Sequence, residues 1–194
     1  MGSTMNRVHW TTRDLALFAD NDKRYEIIDG ALIVTRAPRW SHQQITGRIF
    51  SALDCWSQES GLGEAAFAPG ILLSDEDNVI PDVAWASHAR LHQLLNEAEH
   101  LVGAPELIVE VLSPGEQNVQ RDCQLKLKLY SQQGVQEYWI VDPELHQVQV
   151  YRRDQAMLKQ VATLFATDIL SSPLLPGFSG SLAQVFGEPK HRGY

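Results

Sequence analysis

The segment Leu107 to Leu112 reads Leu-Ile-Val-Glu-Val-Leu, between Pro105 and Ser113-Pro114-Gly115. An apolar, β-rich run with proline and glycine on both sides predicts a central strand. It is far short of the roughly 20 apolar residues that cross a bilayer. Glu110 sits inside it, and a buried carboxylate needs a basic side chain, backbone donors or a hard cation. Asp82 poses the same problem after Pro81, within the apolar segment Val79 to Ala86. For either acid alone, a structural ion pair is the simplest account.

The neighbours of that strand set the fold class. Gln117 to Gln132 has helical periodicity up to Gly134, and Glu137 to Val141 and Val148 to Tyr151 are strands on either side of Asp142-Pro143. Strand, helix, strand is the order of a crossover unit. Upstream, Arg24 to Ile28 and Ala31 to Arg36 flank Asp29-Gly30, which favours a tight hairpin. His42, Ile45, Ile49, Leu53 and Trp56 recur at helical spacing from a Ser41 N-cap to Gly61, with His42 facing inward. Glu64 to Leu73 and Val79 to Ala86 predict a second hairpin across the acidic turn Ser74 to Asn78. A helix is expected around Ala89 to Asn96, a strand at Leu158 to Phe165, and short packing elements at Pro173 to Phe178 and Leu182 to Phe186. The expectation is an α+β fold, a central mixed β-sheet flanked by helices with additional N-terminal and C-terminal hairpins. With 194 residues, 44% of them hydrophobic, one domain spans the chain: an N-terminal segment (1–20), a core (24–186) and a tail (187–194).

At 100° per residue, Val119, Cys123, Leu125, Leu127, Leu129 and Tyr130 share one apolar arc of the helix, and Lys126 falls near its middle. Arg121, Gln120, Gln124 and Lys128 lie on flanking or opposite faces. An inward ammonium must meet an anion, and Glu110 on the preceding strand offers one. Asp122 flanks the same face. An ordinary i, i+4 pair between Asp122 and Lys126, worth a few tenths of a kcal/mol, explains the aspartate but not the inward lysine.

The net charge of −8 opposes broad attraction to polyanions, although a local basic strip (Arg36, Arg39, Arg48) can act against it. Cys55 and Cys123 sit in amphipathic helical patterns, which predicts buried free thiols and neither a disulfide nor a zinc site. Met1 to Trp10 lacks the pattern of an export signal, so a cytoplasmic protein without a membrane span is expected. His88, His92, His100, His146 and His191 lack paired metal spacing and read as surface residues. Ser74 to Asn78 lacks the ligand series of a calcium loop, and Gly61-Leu62-Gly63 lacks the rest of a phosphate loop.

Several of these residues together carry a resemblance. Tyr25-Glu-Ile-Ile-Asp-Gly30, Pro81-Asp-Val83, Pro105-Glu-Leu-Ile-Val-Glu-Val-Leu-Ser-Pro114, Asp122-x-x-x-Lys126-x-x-x-Tyr130, Gly134-Val-Gln-Glu-Tyr-Trp-Ile-Val-Asp-Pro143 and Ser172-Pro-Leu-Leu-Pro-Gly-Phe178 resemble the Uma2 (Uma-two) family of restriction-endonuclease-like proteins, in order, from about Tyr25 to Phe186. That family is similar to the PD-(D/E)XK nucleases. The resemblance implies a mixed sheet flanked by helices and a Mg²⁺ or Mn²⁺ site formed by Asp82, Glu110 and the backbone carbonyl near Val111, with Glu26 as a direct or water-mediated ligand. DNA is the implied substrate and a homodimer a plausible form, since two symmetric copies can cut both strands. The usual motif has a lysine two residues after the second acid, where this chain has Leu112; Lys126 matches the position from which the Uma2 pattern supplies the amine. Tyr130 and His42 either support that site or only pack the core, and packing is the simpler account. Two other readings compete: a catalytically inactive nuclease-fold module binding nucleic acid or a protein partner, favoured by the acidic charge and Leu112, and a carboxylate-pair hydrolase acting on another substrate.

Overall fold

The computed structural model describes residues 8–18 and 23–187. After a 3-10 turn at Thr12–Leu17, β1 (Arg24–Ile28) and β2 (Ala31–Thr35) form the expected hairpin. Asp29 and Gly30 turn it with φ of 52° and 66°, the paired positive values that match the twist of a two-residue loop. Helix α1 (Trp40–Ser60) ends on Gly61 at φ 65°, where a left-handed residue costs least without a Cβ. Its N-cap is Arg39, with no side-chain cap bond. Ser41 therefore lies inside the first turn and does not cap it, a correction to the expected start.

The second expected hairpin is two nested ones. β3 (Gly63–Phe67) stops where Ala68 takes φ 48° ahead of Pro69-Gly70. β4 (Ile71–Ser74) and β5 (Asp77–Val79) pair with each other, Pro81 ends the extended run, and β6 (Val83–Ser87) returns to pair with β3. The inner and outer hairpins belong to different sheets. Next come α2 (His88–Leu94), whose Ser87 cap accepts the Arg90 amide, β7 (Leu101–Val102) and β8 (Leu107–Val111). α3 (Glu116–Gln120) runs through a π-helical turn (Arg121–Lys126) into α4 (Leu127–Gln133), which ends at Gly134 with φ 89°. The remainder is β9 (Glu137–Asp142), β10 (Gln147–Asp154), β11 (Met157–Phe165), β12 (Ile169–Ser172), β13 (Leu175–Ser181) and α5 (Leu182–Phe186).

A six-stranded mixed sheet has the order β11-β10-β9-β8-β6-β3, and a five-stranded one the order β2-β1-β5-β4-β7. β12 and β13 pair separately. The expected mixed sheet flanked by helices is the six-stranded one, and the N-terminal hairpin β1–β2 extends into the second, five-stranded sheet. β8 and β9 are parallel and joined through α3 and α4, which is the expected crossover; β8 is antiparallel to β6 on its other side.

Both faces of β8 are buried. Leu107, Val109 and Val111 pack with Ile49 and Leu53 of α1, Trp139 and Leu182. Ile108 and Leu112 pack with Ile28, Val79, Leu129, Tyr130 and Tyr138. The two-residue period of a strand then turns Glu110 toward α4 and the second sheet. On the opposing helix the π turn alters the expected phase. Leu125, placed inward by uniform 100° steps, is 47% exposed, and Val119 is 38% exposed. Asp122 and Lys126, by contrast, are each 1% exposed. An i→i+5 turn is wider than an α turn, and Asp122, Lys126 and Tyr130, spaced four residues apart, share the buried face across it. Both cysteines are free thiols, but Cys55 is exposed and Cys123 half-buried, against the expectation that both are buried. Cys55 sits two residues beyond Leu53, roughly opposite the inward stripe of α1. His88, His92, His100 and His146 are exposed as expected, and His191 lies outside the described residues. Among the described residues, no helix is long and apolar enough to cross a membrane.

Candidate active site

Where β1, β6, β8 and the π turn meet, a cleft of about 330 Å³ opens, with Glu26, Asp82, Glu110 and Lys126 on its wall. Each element delivers its residue for a local reason. Glu26 occupies a buried position of β1, Asp82 directly precedes β6 after the Pro81 break, and Glu110 takes the helix-facing side of β8. Lys126 closes the π turn. Its Nζ lies 2.8 Å from Glu110 Oε1, 2.9 Å from Glu26 Oε1 and 4.0 Å from Asp122 Oδ1. Tyr130 Oη donates to the same Glu110 oxygen at 2.9 Å. Glu26 Oε1 also accepts the Ile80 amide at 2.9 Å.

Asp82 is held from three sides. Oδ2 accepts the Val111 amide at 2.8 Å and lies 3.2 Å from His42 Nε2, while Arg24 comes within 3.6 Å of Oδ1. His42 Nε2 is also 2.9 Å from the Val111 carbonyl oxygen. A carbonyl only accepts, so Nε2 carries the proton.

The electrostatics follow from burial and crowding. Burial pushes the Asp82 carboxyl up, but the hydrogen bond and charge of His42, the Val111 amide and the charge of Lys126 outweigh it and hold the group below the usual carboxylate range. Glu110 goes the other way. Burial, against the charge of Lys126 and with added repulsion from Asp122, Asp82 and Glu26, raises it to about 8. Burial opposes the charge of Lys126 too, yet Glu110, Glu26 and Asp122 together hold its pKa above the ordinary lysine value, so it stays an ammonium. Four carboxylates face one buried ammonium, the Arg121 guanidinium and the half-buried Arg24. A cluster with that excess of negative charge takes up a proton or another cation readily, and Glu110 is where the proton goes.

The four residues singled out from sequence, Glu26, Asp82, Glu110 and Lys126, thus share one cleft, and Val111 joins them with its amide on Asp82 and its carbonyl on His42. Tyr130 and His42, read from sequence most simply as core, both touch the acids. Among the described residues no three His, Cys, Asp or Glu groups stand ready around a common point; Lys126 lies between Glu26 and Glu110. Leu112, at the usual lysine position, is 7% exposed and packed in the apolar cluster beneath the site.

Sequence reasoning missed Arg24 and Arg121, which both line the cleft. Arg24 had a signal, being two residues from Glu26 on the same strand face. Arg121 had none, because uniform helical steps place it on a flank. Of the basic strip, Arg36 and Arg39 line the cleft, whereas Arg48 donates to the Val185 carbonyl at 3.0 Å.

Residues 12–184 match the model of the Uma2 family, described as "putative restriction endonuclease". Among solved structures, the crystal structure of a "putative nuclease belonging to DUF820" from Anabaena variabilis ATCC 29413 superposes with a TM-score of 0.73 at 18% sequence identity, covering 91% of this chain and 97% of that one. No curated protein matches the chain significantly. Likeness at that identity speaks for the fold, a mixed α+β arrangement shared over nearly the whole of both chains. The match to the family model spans most of the described chain, and by it the protein belongs to the Uma2 family.

Proposed function

We propose that the protein is a metal-dependent endonuclease that hydrolyses DNA phosphodiester bonds in this cleft. The observation that carries the reading is the buried Lys126 ammonium, 2.8 Å from Glu110 and 2.9 Å from Glu26, in an open cleft that Asp82 also lines. The donor set suits a hard divalent cation, since every acid offers carboxylate oxygens. Both Lys126 and Tyr130 use one oxygen of Glu110, and the upward pull on its pKa marks a floor that favours added positive charge.

Asp82 and Glu110 would hold Mg²⁺ or Mn²⁺, with Glu26 and the Val111 carbonyl as further ligands. The ion would supply Lewis-acid polarisation of the scissile phosphate and acidify a water for attack. Lys126, kept protonated by its carboxylates, donates from Nζ to orient the nucleophile and to offset charge developing on the phosphoryl oxygens. His42 fixes Asp82 and the Val111 carbonyl relative to each other. Tyr130 steadies Glu110. Supercoiled plasmid incubated with Mn²⁺ or Mg²⁺ should be nicked or linearised, and Asp82→Ala, with an unchanged circular dichroism spectrum, should abolish the cutting. Undiminished cutting by that variant would remove Asp82 from the mechanism.

The pairing of Lys126 with its acids favours a second reading, a nuclease-fold module that binds nucleic acid without cutting it. Calorimetry separates the two. The endonuclease reading expects Mn²⁺ binding that Glu110→Gln weakens, while the module reading expects none. Mixed-size subunit exchange and sedimentation would test whether the active form is a homodimer.

A further inference from the structure

We infer that Arg121, held rigid by Asp122, grips the phosphate of the bound substrate. The inference rests on the nuclease reading for its substrate and adds a residue to which sequence reasoning assigned no part.

Arg121 lines the cleft beside Glu110 and Lys126. Its Nε and Nη2 donate to the two oxygens of Asp122 at 2.9 and 3.1 Å, a bidentate pair. Such a pair fixes the plane of a guanidinium as well as its position. The anchor itself is buried, Asp122 being 1% exposed. Nη1 approaches Asn118 Oδ1 at 3.5 Å. A guanidinium has five N–H donors, so the contacts among the described residues leave two for an acceptor in the cleft. Phosphate oxygens suit that planar fork.

The surrounding charge explains why such a residue is needed. The floor of the cleft is acidic, and a phosphodiester approaching it is repelled unless a fixed cation stands on the wall. Lys126 already has two of its three donors on Glu110 and Glu26 before substrate arrives. Arg121 is one turn earlier and nearer solvent, its side chain 14% exposed against 2% for Lys126.

The competing account is that Arg121 merely neutralises Asp122. The double variant Arg121→Gln/Asp122→Asn removes both charges and keeps a neutral hydrogen-bonding pair, so the two accounts diverge on it. Cleavage of a labelled oligonucleotide in Mn²⁺ is followed together with metal-free binding of the same oligonucleotide by fluorescence anisotropy. A phosphate grip predicts that kcat falls about 100-fold in Arg121→Gln and is not restored in the double variant. Arg121→Lys, which keeps the charge but loses the fork, should also fall. Recovery of the double variant to within threefold of wild type, or full activity in Arg121→Lys, overturns the grip. Should the wild type cut nothing, binding decides: a loss of about tenfold in affinity, the value of one charge-assisted hydrogen bond, upholds the grip while the catalytic reading fails. Unchanged or undetectable binding overturns it.

Discussion

Replacing Lys126 with methionine should destabilise the protein in a pH-dependent way. Methionine fills much of the same volume, so the cavity contribution is small. What is lost is the ammonium between Glu110 and Glu26, at 2.8 and 2.9 Å, in a position 1% exposed. Removing one partner of a buried ion pair costs about 3–5 kcal/mol, chiefly because the other charge is left uncompensated. For a chain of this length each kcal/mol moves the melting temperature by roughly 2–4 °C, so a fall of about 6–20 °C is expected at about pH 9, where Glu110 is ionised in the wild type. Glu110 can escape the penalty by taking a proton. Its pKa is already raised to about 8 with Lys126 in place, and losing the lysine raises it further. Denaturation of both proteins at about pH 6 and about pH 9 measures the difference. The loss should be smaller at the lower pH, where the carboxyl is neutral in the variant. Equal losses at the two pH values, or a loss below about 1 kcal/mol at the higher one, would refute the view that Lys126 is there to balance buried carboxylates.

Three further outcomes are expected. The folded protein holds the Glu110 proton up to about pH 8, whereas the unfolded chain loses it near the ordinary glutamate value of 4.5. The contribution of this group to stability should therefore be full below the unfolded value and be lost as pH rises through about 8, and Glu110→Gln should flatten that decline; an unchanged slope would place the titration elsewhere. Arg36 and Arg39 are exposed on the cleft rim, so changing both to alanine should leave the melting temperature nearly unmoved and lower the salt slope of oligonucleotide binding by about 1 for each phosphate no longer neutralised. Tyr138 Oη donates to the Asp122 carbonyl in the π turn at 3.0 Å, and Tyr138→Phe should cost about 0.5–1.5 kcal/mol for the lost buried hydrogen bond and slow cleavage by loosening the turn that carries Lys126, although Tyr138 does not line the cleft. Full activity after Tyr138→Phe would mean that the turn holds its shape unaided.

How much of this was legible in the sequence depends on the range of the interaction concerned. The β1–β2 hairpin, the end of α1 at Gly61 and the β8–β9 crossover rest on neighbouring residues, and local chemistry decides them. Lys126 was legible too, because a lysine in an apolar arc is an anomaly whatever its partner. The nested hairpins were not, since Ala68 and Pro81 break the extended runs without saying that the inner pair joins another sheet. Nor was Arg121. The π turn is satisfied in part by Tyr138, a partner from another strand, so no periodicity within the helix announces it, and uniform 100° steps place Leu125 in and Arg121 out.

On the proposed nuclease reading, the same turn would let the chain do without a lysine at position 112. A side chain there lies on the same face of β8 as Glu110 and Ile108, where Leu112 packs with Leu129 and Tyr130 of the crossing helix. An amine at that position would have to displace part of this apolar packing or find a path around it. Supplying the amine from the helix instead keeps the packing and brings Nζ to Glu110 from the opposite side. The position of the charged atom sets its electrostatics, and the backbone that carries it does not. The exchange has a structural consequence: α4 is tied to β8 through Lys126 and Tyr130 on one carboxylate, so the packing of that helix and the charge state of the site cannot vary independently.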